Sequence, residues 1–302
     1  MNISLVSTNY YMSGTYINFL DLQHYLTERK HNSTLFYTQL DRNGYWLNQM
    51  LKKTGRDYNL GKYMKLDGNV WIKDDIVITD FRGLVICKEW DIPFHCSKLL
   101  VIDSVELAYH VNKMYDATHW FDRGEFSYED SVYTYLDIHE YDEIEFLMPN
   151  INLKPFKDKY PEIKAKEFYK KINYDVLKNA NVSNNGKFCY RIDEKNLTYD
   201  LLAKSNVYEN LDRQPEGSIF TYKGFIFHRR KRLQYWEQFG RLIFEYLMLG
   251  KEVRFVTDPF AVHDGLVDYI HRYGIIFDGE RKALCNQENL IEEMSSDYED
   301  LL

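Results

Sequence analysis

The chain has 302 residues, long for one domain and comfortable for two of roughly 150. Hydrophobic residues make up 45% and charged residues 28%, the proportions of a soluble globular protein, and no apolar run approaches the ~20 residues a membrane span needs. The formal net charge of −8 argues against a dedicated nucleic-acid binder, so any DNA contact must use a local basic patch.

Ile3–Ser7 reads as a buried first strand, followed by a polar turn over 9–14 and a helix from Thr15 to Arg29. In that helix Phe19, Leu22 and Leu26 share one face. Thr34–Tyr37 supplies the next strand, which completes a parallel βαβ unit. Its turn holds Ser13-Gly14-Thr15 rather than G-x-G-x-x-G. Small residues there let backbone amides face a ligand, so Ser13, Gly14 and Thr15 are candidate cofactor-binding positions beside their plain turn role.

Asp41–Thr54 is expected to be helical. Asp75–Asp80 and Lys98–Asp103 read as strands, the first turning at Phe81-Arg82-Gly83. Each ends in aspartate, where an open α/β sheet places functional groups. Asp103 is the better catalytic candidate, as a general base for an acceptor hydroxyl. The alternative is a helix N-cap. Ser104–Tyr115 continues as helix, and Glu143–Met148 is expected to be the last strand of this half.

The segment 150–174 carries Pro155, Pro161 and a lysine-rich, mixed-charge helix, and reads as the crossing between domains. The expected organisation is an N-terminal domain over 1–155, a crossing over 156–180 and a C-terminal domain over 181–302. In the second half, Lys187–Ile192, Ser218–Tyr222 and Phe225–His228 are expected strands and Leu197–Asn206 a helix. Gly265–Tyr273 is a short helix, and 286–302 an acidic amphipathic one.

Cys87, Cys96, Cys189 and Cys285 lack C-x-x-C spacing and read as free thiols in a reducing cytoplasm. His95, His110, His119 and His139 show neither H-x-x-x-H nor H-E-x-x-H spacing, so no zinc site is expected. With no secretory signal pattern at the N-terminus, a cytoplasmic location is expected.

The most informative stretch runs from Arg229 to Val253: a basic loop, a helix, a stop and a strand. Gly240 loosens the start of a helix over Arg241–Leu249, and Gly250 stands where a left-handed C-cap is wanted. Glu237 and Glu245 have seven residues between them. A helix start offers N–H groups and positive dipole to a pyrophosphate, and Arg229, Arg230, Lys231 and Arg232 add charge. Carboxylates accept hydrogen bonds from sugar hydroxyls.

Glu237-Gln-Phe-Gly-Arg-Leu-Ile-Phe-Glu245, continuing through Tyr-Leu-Met-Leu-Gly-Lys-Glu-Val, resembles the E-x7-E signature of GT-B glycosyltransferases. The match is close over about 25 residues and otherwise one of layout. The resemblance implies two Rossmann-like α/β domains facing each other across a cleft. It implies that Glu245 binds the ribose of a nucleotide-diphosphate sugar, a UDP-sugar above all, and that Glu237 contacts the transferred sugar. Arg230, Lys231 and the helix start at Gly240 would neutralise the diphosphate, with no metal required. E-x7-E families retain anomeric configuration, whereas an Asp103 base suits inversion, so stereochemistry stays open.

The Asn-, Tyr- and Lys-rich composition resembles that of phage proteins, and phage GT-B enzymes that glycosylate hydroxymethylated DNA bases are the comparison it suggests. A phage-encoded chain would act in the host cytoplasm. Double-stranded DNA would need Lys164–Lys171 or Arg229–Arg232 as its phosphate contacts. A carbohydrate acceptor is the alternative. Two other classes are a non-catalytic nucleotide- or DNA-binding protein on the same frame and a sugar-nucleotide epimerase.

Overall fold

The computed structural model describes residues 1–7, 14–37, 55–66, 68, 70–104, 107–108, 111, 131–180, 182–191, 208–210, 219–227, 240–256, 260, 264–295 and 298–302. The expected helices over 41–54 and 197–206 lie outside that set. The chain divides into two compact units, one of residues 1–40 with 59–169 and one of residues 41–58 with 170–302.

The first unit is α/β. Its elements are β1 (Asn2–Ser7), α1 (Gly14–Glu28), β2 (Asn32–Tyr37), β3 (Lys62–Lys65), β4 (Ile72–Asp80), α2 (Phe81–Glu89), β5 (Phe94–Ile102), α3 (Val132–Leu136), β6 (Glu140–Met148), α4 (Asn150–Lys159) and β7 (Lys164–Glu167). All seven strands are parallel, in the order β3-β2-β1-β4-β5-β6-β7. The order reverses between β1 and β4, the kind of switch point where an open α/β sheet binds ligands outside its strands' carboxyl ends.

Patterning explains the layers. β1 is covered on both faces, so Ile3, Leu5 and Val6, with Ser4 among them, have no exposed surface. One sheet face presents Val6, Val77, Leu99, Val101, Phe146 and Met148 to a core shared with Phe81 and Leu84 of α2, Tyr135 of α3 and Phe156 of α4. Each such side chain contributes roughly 1.5–3 kcal/mol by leaving water. All four residues of the edge strand β3 are exposed, and Lys62 and Lys65 at its ends discourage pairing with another chain.

Two expectations for this unit change. Phe81-Arg82-Gly83 is no turn: α2 starts directly at Phe81, because Asp80 caps it by accepting from the Gly83 amide at 2.7 Å. Glu143–Met148 is not the last strand, since the lysine-rich stretch after it forms α4 and then β7. Lys164 and Lys166 of β7 sit opposite Glu143 and Glu145 of β6, with N–O separations of 3.8 and 3.2 Å. Such opposite-charge cross-strand pairs favour the strand over the helix expected there.

The second unit contains α5 (Tyr174–Lys178), β8 (Phe188–Arg191), β9 (Tyr208–Asn210), a 3₁₀ turn (Ile219–Thr221), β10 (Gly224–Phe227), α6 (Arg241–Met248), β11 (Glu252–Phe255), α7 (Asp264–Arg272), β12 (Ile276–Phe277), β13 (Ala283–Leu284), α8 (Gln287–Ser295) and a closing 3₁₀ turn (Tyr298–Leu301). Its main sheet is parallel, in the order β11-β10-β8-β9. The expected strand over 218–222 is instead the 3₁₀ turn, and the expected helix over 286–302 divides into α8 and the closing turn. Here the switch point falls between β8 and β10, and the chain leaving β10 leads to α6.

Among the described residues no helix is long and apolar enough to cross a membrane. All four cysteines are free thiols, as expected.

Candidate functional site

The site is built on α6. Apolar residues surround this helix almost completely: Ile243, Phe244, Tyr246, Leu247 and Met248 are all buried. The Tyr246 hydroxyl lies 2.9 Å from Cys189 Sγ on β8, and burial pushes the tyrosine's pKa well above its usual value. Phe244 packs against Tyr269 and Tyr273, with ring centroids 5.9 and 5.8 Å apart.

Both ends of α6 depend on glycine. Gly240 stands before its first turn at φ 57° and, as the N-cap residue, has no side chain with which to cap that end. At the other end Gly250 has φ 67°, with Gly250 N–H on Leu247 O and Lys251 N–H on Tyr246 O. That double bond is the Schellman pattern expected of a glycine at this position. The Lys251 ammonium reaches the carbonyls of Ser183 and Tyr222, a partnership its sequence position did not suggest.

A Cβ added at Gly240 would stand 2.9 Å from Ile243 Cδ1 and 3.1 Å from Leu266 Cδ1. Gly240→Ala adds this crowding to the left-handed penalty of roughly 1–2 kcal/mol. We expect the variant to lower the unfolding free energy of the second unit by that amount or more, read as a lower urea midpoint at unchanged slope. A midpoint equal to wild type would mean that the left-handed start is not required.

Glu245 has no exposed surface. Its Oε1 accepts from Arg241 Nε, one turn earlier, at 2.6 Å, and from Arg56 Nη2, contributed by a segment 189 residues away in sequence. Arg241 also reaches Lys171 O through Nη1 at 3.5 Å, and the Arg56 guanidinium lies 5.1 Å from the Phe220 ring centroid. Arg56 and Arg241 are 5% and 6% exposed, so the cluster is dry. Among the described residues Glu245 Oε2 and Arg56 Nη1 have no hydrogen-bond partner.

Of the other candidates, Glu237, Arg230, Lys231 and Ser13 lie outside the described residues. Gly14 opens α1 and Thr15 follows it in the first turn, at the carboxyl-end side of β1. Asp103 lies directly after β5, is 1% exposed and accepts from Asn152 Nδ2 at 2.9 Å. In the helical turn that follows, Ser104 Oγ accepts from Leu107 N–H.

His95 Nδ1 lies 2.7 Å from Glu140 Oε2, and Trp71 packs edge-on against the His95 ring. His139 is buried, stacked on Phe94 and accepting that residue's N–H at Nδ1, while burial pulls its pKa down to about 4. Among the described residues no group of three His, Cys, Asp or Glu side chains is placed to hold a metal ion.

Sequence reasoning singled out Glu245 and Gly240 as candidates but named neither arginine partner of that carboxylate. The signal for Arg241 was present, since a cation four residues before a glutamate shares its helix face. Arg56 carried no local signal.

No family model matches the chain, and no curated protein matches it either. Solved structures with a similar layout include Phytolacca americana UGT2 complexed with UDP-2-fluoro-glucose and pterostilbene, at 12% identity and TM-score 0.41, covering 98% of this chain and 90% of that one. Arabidopsis thaliana UGT89C1 complexed with UDP gives 11% identity and TM-score 0.40, covering 97% and 90%. Sucrose-phosphate synthase from Thermosynechococcus elongatus gives 11% identity and TM-score 0.39, covering 89% and 73%. The parallel α/β character of each unit rests on its own strand order.

Proposed function

We propose that the chain is a glycosyltransferase that transfers a sugar from a nucleotide-diphosphate sugar, a UDP-sugar in the leading case, to an acceptor hydroxyl. The observation that carries this reading is Glu245, the second glutamate of the E-x7-E run. It is buried on the helix that follows the switch-point strand β10, and one carboxylate oxygen is unengaged among the described residues. A ribose hydroxyl is a donor of the kind that oxygen takes.

In this reading Glu237 contacts the transferred sugar, while Arg230, Lys231 and the helix start at Gly240 stabilise the departing diphosphate. Ser13, Gly14 and Thr15 are the candidate backbone donors in this reading. Asp103 removes the acceptor proton as the acceptor oxygen bonds to the anomeric carbon. The bond from that carbon to the diphosphate breaks, and the nucleoside diphosphate leaves with the electron pair. Protein cations carry the leaving-group charge, so no metal is called for.

For the acceptor we favour a carbohydrate or other small hydroxyl compound over a hydroxymethylated base in DNA. Lys164 and Lys166 are paired with Glu143 and Glu145, and the Lys171 ammonium bonds Glu293 O. That offsets positive charge in one of the two basic patches a duplex would use, in a chain of net charge −8.

The test is a thermal-shift screen against UDP, GDP, ADP, TDP and CMP, followed by donor turnover in EDTA with carbohydrate and hydroxymethylated-DNA acceptors. A ligand at about 100 times its Kd stabilises by about 2.7 kcal/mol. We expect a shift with one nucleoside diphosphate and sugar transfer to a carbohydrate. Transfer to DNA would reverse the acceptor preference, and binding without turnover would favour a non-catalytic nucleotide-binding protein. No shift with any nucleotide would overturn the proposal. The anomeric configuration of the product separates an Asp103 base from a retaining mechanism.

A further inference from the structure

The cluster around Glu245 leaves two buried atoms unfilled: one donor, Arg56 Nη1, and one acceptor, Glu245 Oε2, have no hydrogen-bond partner among the described residues. A buried guanidinium donor and a buried carboxylate acceptor left open are each costly, which makes an external complement the natural resolution. That complement has an anionic oxygen for Nη1 and a hydroxyl donor for Oε2.

We propose that Arg56 is a ligand-binding residue of this site. Its Nη2 holds the Glu245 carboxylate by Oε1, leaving Oε2 for a sugar hydroxyl, and its Nη1 takes an anionic oxygen of the same ligand. A sugar bearing a phosphate or diphosphate supplies both groups a few bonds apart. The inference deepens the donor-site reading above and rests on it. It adds a cation from a segment, 41–58, that precedes β3 in sequence but belongs to the second unit. Planarity matters here: a guanidinium bonds a carboxylate and an anion through different nitrogens at once, whereas an ammonium acts as a point charge.

The experiment measures the affinity of the full chain for UDP, uridine and inorganic pyrophosphate by calorimetry, in wild type, Arg56→Lys and Arg56→Gln. Circular dichroism establishes that each variant is folded, and two variants are used so that one misfolded protein does not end the test. We expect UDP and pyrophosphate to bind at least about tenfold more weakly in a folded variant, the worth of one charged hydrogen bond, with uridine changed less than about twofold. A loss confined to phosphate-bearing probes is not what a purely structural arginine would give. Unchanged UDP and pyrophosphate affinities in a folded variant would overturn the assignment, as would equal weakening of all three probes. If wild type binds pyrophosphate through Arg56 but no nucleotide, the assignment stands and the donor reading falls. If wild type binds neither, both fall.

Discussion

Glu245→Ala is expected to lower the unfolding free energy of the second unit by about 3–5 kcal/mol, as well as abolishing donor binding. From the motif alone the expectation is narrower, a loss of donor affinity with the fold intact. The structure enlarges it, because Glu245 is the shared partner of Arg56 and Arg241 in a dry cluster. Alanine removes the carboxylate oxygen that both guanidinium groups share. Urea titration provides the check, and a midpoint equal to wild type would show that the cluster carries no net stabilisation.

A second comparison separates charge from shape. Replacing all three partners with apolar residues of similar length, Arg56→Met, Arg241→Met and Glu245→Leu together, should restore much of the lost stability. Removing a whole buried ion cluster is far less costly than orphaning part of it. Donor binding should not return with it. Recovery of both would mean that the cluster has no part in recognition.

The second large effect is a pH dependence centred on His139. Its imidazole is buried, stacked on Phe94, and accepts Phe94 N–H at Nδ1, with no partner for Nε2 among the described residues. Burial is the main cause that holds its pKa down at about 4, with Lys88 acting in the same direction and Asp137 opposing. In the unfolded chain it titrates near 6.5, so between about pH 6.5 and 4 the unfolded state binds more protons than the folded state. This contribution to stability is therefore complete above about pH 6.5 and falls as the solution is acidified toward 4. The interval is worth about 3 kcal/mol.

His139→Asn keeps an acceptor for Phe94 N–H and removes the titration. It should flatten the stability profile between pH 4 and 6.5 relative to wild type. Denaturant titrations at several pH values decide this, and an unchanged slope in the variant would assign the acid sensitivity to other groups.

Several features were legible in the sequence because they are local. β1, β2, β5 and α1 follow from apolar runs and helical periodicity that tertiary contacts do not overrule. The two ends of α6 were written in Gly240 and Gly250, since the left-handed conformation restricts residue choice strongly. Asp80 was correctly seen to end a strand. Its second role was missed because Gly83 made the following residues look like a turn, whereas that glycine amide is the group Asp80 caps. The lysines of 164–171 pointed to a helix, and only the cross-strand glutamates of β6 show why Lys164 and Lys166 lie on a strand.

The candidate site divides in the same way. Glu245 was identifiable by its spacing from Glu237 and its place before a capped helix end, and Arg241 by its position four residues away. What the sequence could not contain is the burial of that carboxylate or the identity of its other partner. Arg56 meets Glu245 across 189 residues of chain, a contact created by the segment 41–58 joining the second unit. Local propensity and periodicity act over a few residues, so they determine elements and their ends. Which charges share a dry interior, and which of their atoms remain unengaged, is decided only when distant segments pack together and exclude water.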